Sequence, residues 1–364
     1  MDKFKSSSSK FLVDLLKNLK CSLMFTTYES GCVVIISAKD NKLVQITRGF
    51  KKPMGIAISK DKLALVTLNE LLVFSNNNDL ALKYPNKPDT YDSLYMPRIS
   101  YYTGNLDLHD VGFGVSNEIY AVNTRFSCIS KIDSDFSFKP IWKPSFISNL
   151  LPEDRCHLNG MALLNGIPKY ATALSQTDVS EGWREHITSS GVLIDTVENK
   201  IILEGLGMPH SPRIINNQLY LLQSAKGEVI KVDTIKKTYE VVARIPGILR
   251  GMAEYGNYVF IGVSKPRESS KTFKKLPEEF KKQSAGIVVF YKPTWGYVGE
   301  IKYSSTINEI FDVQVLPNLL RPNITNREST FVQDSIVAKN LSFWFKRPNI
   351  AKNKSKTTNN GNDK

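Results

Sequence analysis

The sequence predicts an all-β chain folded as a six-bladed β-propeller with four strands per blade. Six segments share one pattern: PMGIA at 53–57, LHDVG at 108–112, NGMAL at 159–163, PHSPR at 209–213, LRGMA at 249–253 and FDVQV at 311–315. A strand opening repeated at such a period is how a propeller is written into a chain. With Gly55, Asp110, Gly160, Ser211, Gly251 and Asp312 as equivalent anchors, the spacings are 55, 50, 51, 40 and 61 residues. Each interval holds one four-stranded blade. Runs such as SPRIINN, QLYLLQS, EVIKVD and TYEVVARI are short, rich in Val, Ile and Tyr, and parted by Asn, Gly, Asp or Lys turns. No interval has room for the long amphipathic helices of a parallel α/β sheet.

The last anchor, Asp312, is followed by a single strand before the apolar pattern fades. The strands missing from that blade stand at the other end of the chain: SLMFTTY at 22–28, CVVIISA at 32–38 and LVQITRGF at 43–50. Joining the termini in one blade closes the ring and removes an exposed sheet edge. The propeller therefore spans 22–322. Residues 1–21 form an N-terminal tail in which SSSKFLVDLLKNLK caps at Ser9 and makes a short amphipathic helix, with Phe11, Leu12, Leu15, Leu16 and Leu19 on the face that packs on the rim. Residues 323–364 are a C-terminal extension, basic and disordered after about 347.

The formal net charge is +13, which invites a nucleic-acid reading. Its distribution argues against one. Residues 1–20 carry +3, 265–282 carry +4 and 346–364 carry +5, so the blades are nearly neutral. Such runs are read as solvated, able to make weak contact with a membrane surface or a polyanion. Cys21, Cys32, Cys128 and Cys156 show no CxxC spacing and no dense framework. No run has the length of a membrane span, and MDKFKSSSSK lacks a signal-peptide core. A cytoplasmic protein is the expectation.

In a blade, the connection into the innermost strand and the connection between the second and third strands emerge on one face. That face collects the unusual residues. Asp107, His109, Asp110, Glu153, Asp154, Arg155, His157, His210, Arg213, Arg250, Glu309 and Asp312 enter inner strands. Arg125, Asp178, Trp183, Arg184, His186, Arg267 and Glu268 lie in the other connections. The opposite face is built from ordinary hairpin turns such as SKDK, VSNE, INNQ and EYGN.

His109 and His210 stand one residue before their anchors and His157 three before Gly160, so period-two alternation gives the three the same parity. Three imidazoles at the channel mouth make a candidate site for a divalent metal such as zinc, with one position open for water or substrate. The competing reading is that HD and HSP turns satisfy buried backbone groups. Arg125, Arg155, Arg184, Arg213 and Arg267 are candidate contacts for an anionic ligand, since a guanidinium fork suits carboxylate, sulfate or phosphate. Each has the plainer option of an ion pair between blades. Trp183 either stacks on a ligand ring and lids the channel or packs against a neighbouring loop. No GxSxG elbow, phosphate loop or dinucleotide fingerprint is present.

The segments TGNLDLHD, NTRFSC, PEDRCHLNGMAL, GLGMPHSPR, LRGMAEYG, SKPRE and FDVQVLP resemble a bacterial family of conserved hypothetical proteins, a propeller family of unknown function. The resemblance runs from about Ser22 to about Pro322, with EDRCHLNG and MPHSPR its specific parts. A looser, fold-level likeness is to six-bladed propeller lyases such as peptide-amidating lyase and oligogalacturonate lyase, which hold a metal with histidines at the channel mouth. It implies the same role for His109, His157 and His210.

Two functions follow as expectations. One is a metal-dependent lyase or hydrolase on an anionic small molecule, glycan or modified peptide, with Arg250 and Arg213 holding the anion, Asp110, Glu153 or Asp312 as acid or base, and His186 assisting turnover. The other is a non-catalytic propeller that binds a glycan, peptide or protein on the same face.

Overall fold

In the computed structural model, which describes residues 4–266 and 272–345, six antiparallel sheets are arranged as the blades of a propeller. Blade 1 runs outward from Ile56–Ser59 through Lys62–Val66 and Glu70–Asn76 to Ser93–Tyr102. Blades 2 to 5 begin with the inner strands Leu108–Phe113, Leu158–Leu164, Pro209–Ile215 and Ile248–Tyr255. Blade 6 is composite. Its inner strand Val313–Pro317 pairs with Cys21–Thr27, followed outward by Cys32–Lys39 and Lys42–Gly49. The ring is thus closed as the unfinished last repeat requires.

Apolar side chains of successive blades meet in shared clusters, for example Val66 and Val73 of blade 1 with Val111 and Ala121 of blade 2. Burial of this apolar area, at about 25 cal/mol per Å2, is the main cohesive term between sheets that share few backbone hydrogen bonds.

Segments from both sides of the closing blade extend its two neighbours. Ser6–Ser8 add a fifth strand to blade 5, and Pro322–Ile324 pair in parallel with the outer strand of blade 1. The N-terminal tail and the C-terminal extension therefore contain sheet structure that their composition does not announce. The helix Phe11–Leu19 fills the seam between blades 5 and 6, with Leu12, Leu15 and Leu16 against Phe25, Val34, Phe260 and Ile301. Val13 is also buried while Phe11 stays half exposed, because the buried stripe is centred closer to Leu12 than the sequence reading placed it. Ser9 does not cap the helix. Its hydroxyl accepts from the Glu300 amide of blade 5 instead, and Lys10 stands at the cap position. The basic stretch after about 347 and Arg267 lie outside the described residues.

The inner strands carry a register shift at the anchor in blades 2, 3, 4 and 5. A bulge interrupts period-two alternation, so an anchor and the residue before it both line the channel, as His109 with Asp110 and His210 with Ser211 do, whereas Phe311 and Asp312 line it from the segment that enters the blade 6 strand.

The six anchors alternate between glycine and a polar residue. Each polar side chain accepts a backbone N–H from the following glycine blade: Asp110 from Met161 at 3.1 Å, Ser211 from Gly251 at 2.9 Å and Asp312 from Ile56 at 2.9 Å. Each glycine in turn packs on the next polar anchor. A Cβ on Gly55 would meet Asp110 Cα at 3.0 Å, one on Gly160 would meet the Ser211 amide at 3.3 Å, and one on Gly251 would meet Asp312 Cα at 2.8 Å. Hydroxyls at the ends of second strands add a parallel set of ties, donating across seams from Thr26 to Met54, Thr124 to Leu158, Ser224 to Leu249 and Ser264 to Ile310.

Arg213 crosses the channel from blade 4. It donates to Asp110 of blade 2 at 3.0 Å and lies 3.6 Å from Asp312 of blade 6. Burial pushes the Asp312 carboxyl up to about 6 although Arg213 opposes the shift. Asp110 and Asp312, expected as acid or base, are therefore occupied as inter-blade acceptors and partners of Arg213, which is itself a structural tie and not a ligand contact.

Arg213→Met should destabilise the fold by about 3–5 kcal/mol, the usual result of removing one partner from a buried charged network, read as a fall in chemical-denaturation midpoint. Gly251 adopts φ +73 and has blade 6 backbone against it, so Gly251→Ala should cost at least about 2 kcal/mol. Asp312 retains its proton to higher pH in the folded chain than at its ordinary value of 3.8. Its contribution to stability therefore falls as pH rises from about 4 to about 6. The Tm of the wild type minus that of Asp312→Asn should shrink over this window; a flat or widening gap would contradict the assignment.

Candidate functional site

The channel mouth holds a cavity of about 180 Å3 lined by Tyr28, Met54, Asp107, His109, His157, Trp183, Arg184, Arg250, Phe273 and Phe311. Below it the channel narrows to a throat among His210, Asn159, Ser211, Arg213 and Asp312. A larger concavity, about 850 Å3, opens on the opposite face among turn residues such as Asn165, Asn217 and Lys236. Its charged side chains are paired with one another, Lys231 with Glu240 at 2.9 Å and Lys236 with Asp233 at 3.9 Å.

His109 is held by its backbone. Asp107 adopts φ +52, and this left-handed residue turns its carbonyl onto the imidazole, 3.0 Å from Nδ1. The Thr124 hydroxyl lies 2.8 Å from the same nitrogen while donating its own proton to the Leu158 carbonyl. With an acceptor on one side and a hydroxyl whose proton is committed on the other, Nδ1 carries the hydrogen and Nε2 the lone pair. His210 repeats the device with the Met208 carbonyl and Ser224, and Met208 again has positive φ, +51. Its Nε2 is buried with no hydrogen-bond partner among the described residues.

His157 reaches the mouth by another route. It precedes its strand in a turn with φ +50, and its Nδ1 faces the Asp154 carboxylate at 2.9 Å. Parity along the strand does not place it, since the residue equivalent to His109 in blade 3 is Asn159. The Trp183 indole also donates to Asp154, at 3.1 Å, and stacks on His157 with ring centroids 4.2 Å apart. His157 then meets His109 edge-on at 4.8 Å, and His109 meets Phe311 at 5.4 Å. Arg184 covers the outer face of Trp183, and Arg250 lies over Phe311. An unbroken series of rings capped by two guanidinium groups crosses the mouth.

Burial keeps the His109 and His210 imidazoles neutral. Burial pushes His109 down, with the neighbouring Asp107 opposing and Arg250 reinforcing the shift. Burial and Arg250 hold His210 well below its ordinary value. The Asp107 carboxyl lies low despite its burial, because His109, His157, Arg125 and Arg250 surround it.

Other expected site residues are placed elsewhere or already engaged. Arg155 is paired with Glu153 at 2.8 Å and Asp178 at 2.7 Å, so Glu153 braces a loop and does not face the cavity. Arg125 stands behind Asp107 and does not line the cavity. His186 is 76 % exposed beside Glu185 and outside the cavity. Trp183 is buried as the roof, tied by Asp154. Leu276 and Phe280 of the basic insertion pack with Trp183, Ile187 and Met208 into one cluster, so the described part of that insertion is a packed part of the roof and not a solvated loop. The thiols of Cys128 and Cys156 are buried, which raises them to about 11 and about 12.

Among the described residues no three His, Cys, Asp or Glu side chains are grouped so as to hold a metal ion. The mouth offers two imidazoles, while His210 sits deeper, and the permanent charge of Arg250 beside His109 and His210 opposes a cation. The donor set thus does not fit the three-imidazole site expected from the sequence. Asp154, Phe311, Tyr28 and Met54 belong to the site in its place. Phe311 and Met54 occupy the same pre-anchor position as His109, a signal available in the repeats, whereas the fold of Asp154 back onto His157 was not.

Comparisons with known proteins agree with the fold. A chain of the nidogen/laminin complex crystal structure is similar with a TM-score of 0.54 at 9 % identity, over 82 % of this chain and 99 % of that one. Likeness at that identity concerns the fold alone. No curated protein matches the sequence. Residues 10–325 match the model of the family described as Domain of unknown function (DUF4915), a span that takes in every blade and the whole channel mouth, and the chain belongs to that family.

Proposed function

We propose that the cavity at the channel mouth recognises a small anionic ligand, either free or as the terminal residue of a glycan or modified peptide. The observation that carries this reading is the joint placement of Arg250 and two Nδ1-anchored imidazoles on one aromatic-walled cavity. Arg250, which also contacts Glu309 at 3.3 Å, supplies a fixed positive charge for a carboxylate, sulfate or phosphate. Neutral His109 accepts a hydrogen bond from a ligand hydroxyl through Nε2, and the Nε2 of His157 stands beside it on the same cavity. Phe311 and Trp183 provide apolar walls. The volume, about 180 Å3, corresponds to roughly six water molecules of liquid, which suits a single sugar acid or amino-acid-sized group and excludes a long polymer inside the cavity.

A second reading rests on Asp154. A carboxylate on Nδ1 fixes the orientation of an imidazole and leaves Nε2 facing the cavity, the arrangement of a general base. Lyase or hydrolase chemistry at the mouth would then run through His157, in place of the carboxylates Asp110, Glu153 and Asp312.

Thermal-shift titration with glucuronate, inorganic phosphate and benzoate tests recognition. At least one anion should raise Tm in the wild type, and Arg250→Met should weaken that anion about tenfold or more. Shifts that are absent, or that survive Arg250→Met unchanged, would count against the proposal. His157→Ala should weaken binding less than Arg250→Met does, whereas any turnover should vanish in His157→Ala and drop in Asp154→Asn. Elemental analysis is the third arm. One divalent ion per chain, retained by the wild type and lost in both His109→Ala and His157→Ala, would restore the metal-dependent lyase or hydrolase.

A further inference from the structure

The six residues that precede the anchors do not divide evenly around the channel. His109, Asn159, His210 and Arg250, from blades 2 to 5, form a polar arc, and Phe311 and Met54, from blades 6 and 1, complete the ring with an apolar one. His109, Arg250 and Phe311 line both the mouth cavity and the throat, so the two spaces adjoin. The throat encloses about 10 Å3, which is room for one oxygen-sized group.

Two side chains lining the throat carry polar atoms that the fold leaves unsatisfied. His210 is 3 % exposed and Asn159 5 %. The Nδ1 hydrogen of His210 goes to the Met208 carbonyl, and its Nε2 is a lone-pair acceptor with no partner among the described residues. The Thr172 hydroxyl donates to Asn159 Oδ1 at 2.8 Å. The Nδ2 donor of Asn159 has no partner among the described residues either. Asp110, Ser211, Arg213 and Asp312, which also border the throat, are engaged in ties between blades. A buried donor and a buried acceptor left unpaired are both costly, which marks the throat as built for an occupant that satisfies the two at once.

That occupant must give one hydrogen and offer one lone pair within the volume of a single oxygen. A hydroxyl does so, donating to Nε2 and accepting from Nδ2. A carboxylate oxygen only accepts and leaves His210 unpaired. An ammonium only donates and leaves Asn159 unpaired, and the charge of Arg250, which with burial holds His210 neutral, opposes it. Because Arg250 borders both spaces, a ligand whose anionic group meets it has a hydroxyl in the throat close to that group, with its C–H surface toward Phe311 and Met54.

We propose that the throat is a hydroxyl subsite, and that the ligand of the channel mouth is a hydroxy acid whose hydroxyl donates to His210 and accepts from Asn159. This rests on the recognition of an anion by Arg250 at the mouth, and adds to it a selection for hydroxyl over hydrogen or amine.

Calorimetric titration of the full chain with mandelate, phenylacetate and phenylglycine tests this, because the three share a ring and a carboxylate and differ in a hydroxyl, a hydrogen or an ammonium. Glucuronate against cyclohexanecarboxylate repeats the comparison on a six-membered saturated ring. In at least one set the hydroxylated member should bind about tenfold or more tightly than its matches. His210→Asn keeps an N–H for the Met208 carbonyl and removes Nε2, and Asn159→Leu removes the Nδ2 donor at similar size. In each the preference should collapse while binding of the unhydroxylated acid is unchanged; a folded variant of either residue that keeps the wild-type preference overturns the assignment. Equal affinities within both sets, weakened together by Arg250→Met, overturn the hydroxyl subsite, leave the anion reading intact and assign the throat to a bound water. Tighter binding of phenylglycine than of mandelate overturns it in favour of an amine. Binding of inorganic phosphate but of none of the five acids overturns the hydroxy acid alone, and binding of no anion overturns both readings.

Discussion

The closed alternation of the six anchors is the constraint on which the rest of the structure depends. A polar side chain from one blade accepts a backbone amide of the next, and the glycine there lets the following polar anchor approach to backbone contact. Repeated three times, the two kinds of contact run around the channel without a gap. Blades of a propeller share no continuous ladder of hydrogen bonds, so these contacts fix the rotation of each sheet relative to its neighbours where apolar packing alone tolerates sliding. Arg213 reaches two of the three polar anchors and ties opposite sides of the ring.

The same contacts explain why the mouth is preorganised. In blades 2 and 5 the bulge at the anchor brings its predecessor, His109 or Arg250, to the mouth, and Phe311 reaches it from the segment entering the blade 6 strand. Thr124 and Ser224 clip blades together with the oxygen that touches His109 and His210. Ring orientation and tautomer are consequently set by the same bonds that hold the seams. The side chains lining the cavity are thereby held in fixed orientations by bonds that also hold the ring.

The roof is built differently. The connection around Trp183 and the insertion around Phe280 share one apolar cluster above blades 3 to 5, and Asp154 joins roof to floor by accepting from Trp183 and facing His157. A change in either connection would be felt at the imidazoles through that carboxylate.

The fold was legible because a propeller repeats: strand length, turn residues and anchor spacing are local properties, and an incomplete last repeat with spare strands at the start of the chain leaves one way to close. The face carrying the site was legible for the same reason, since blade topology sends two kinds of connection to one side. Even the alternation of Gly with Asp or Ser was present in the anchors. What the anchors do was not, because Asp110 and Asp312 look equally suited to catalysis and to accepting amides until the neighbouring blade is in place. The bulges defeated the parity argument for His157, as one extra residue in a strand reverses every side chain beyond it. Trp183 was expected over the channel, but the tie of Asp154 to it and the packing of the insertion against it join segments far apart in the chain, and only tertiary structure decides which distant segments meet, because many arrangements of loops are compatible with one pattern of strands.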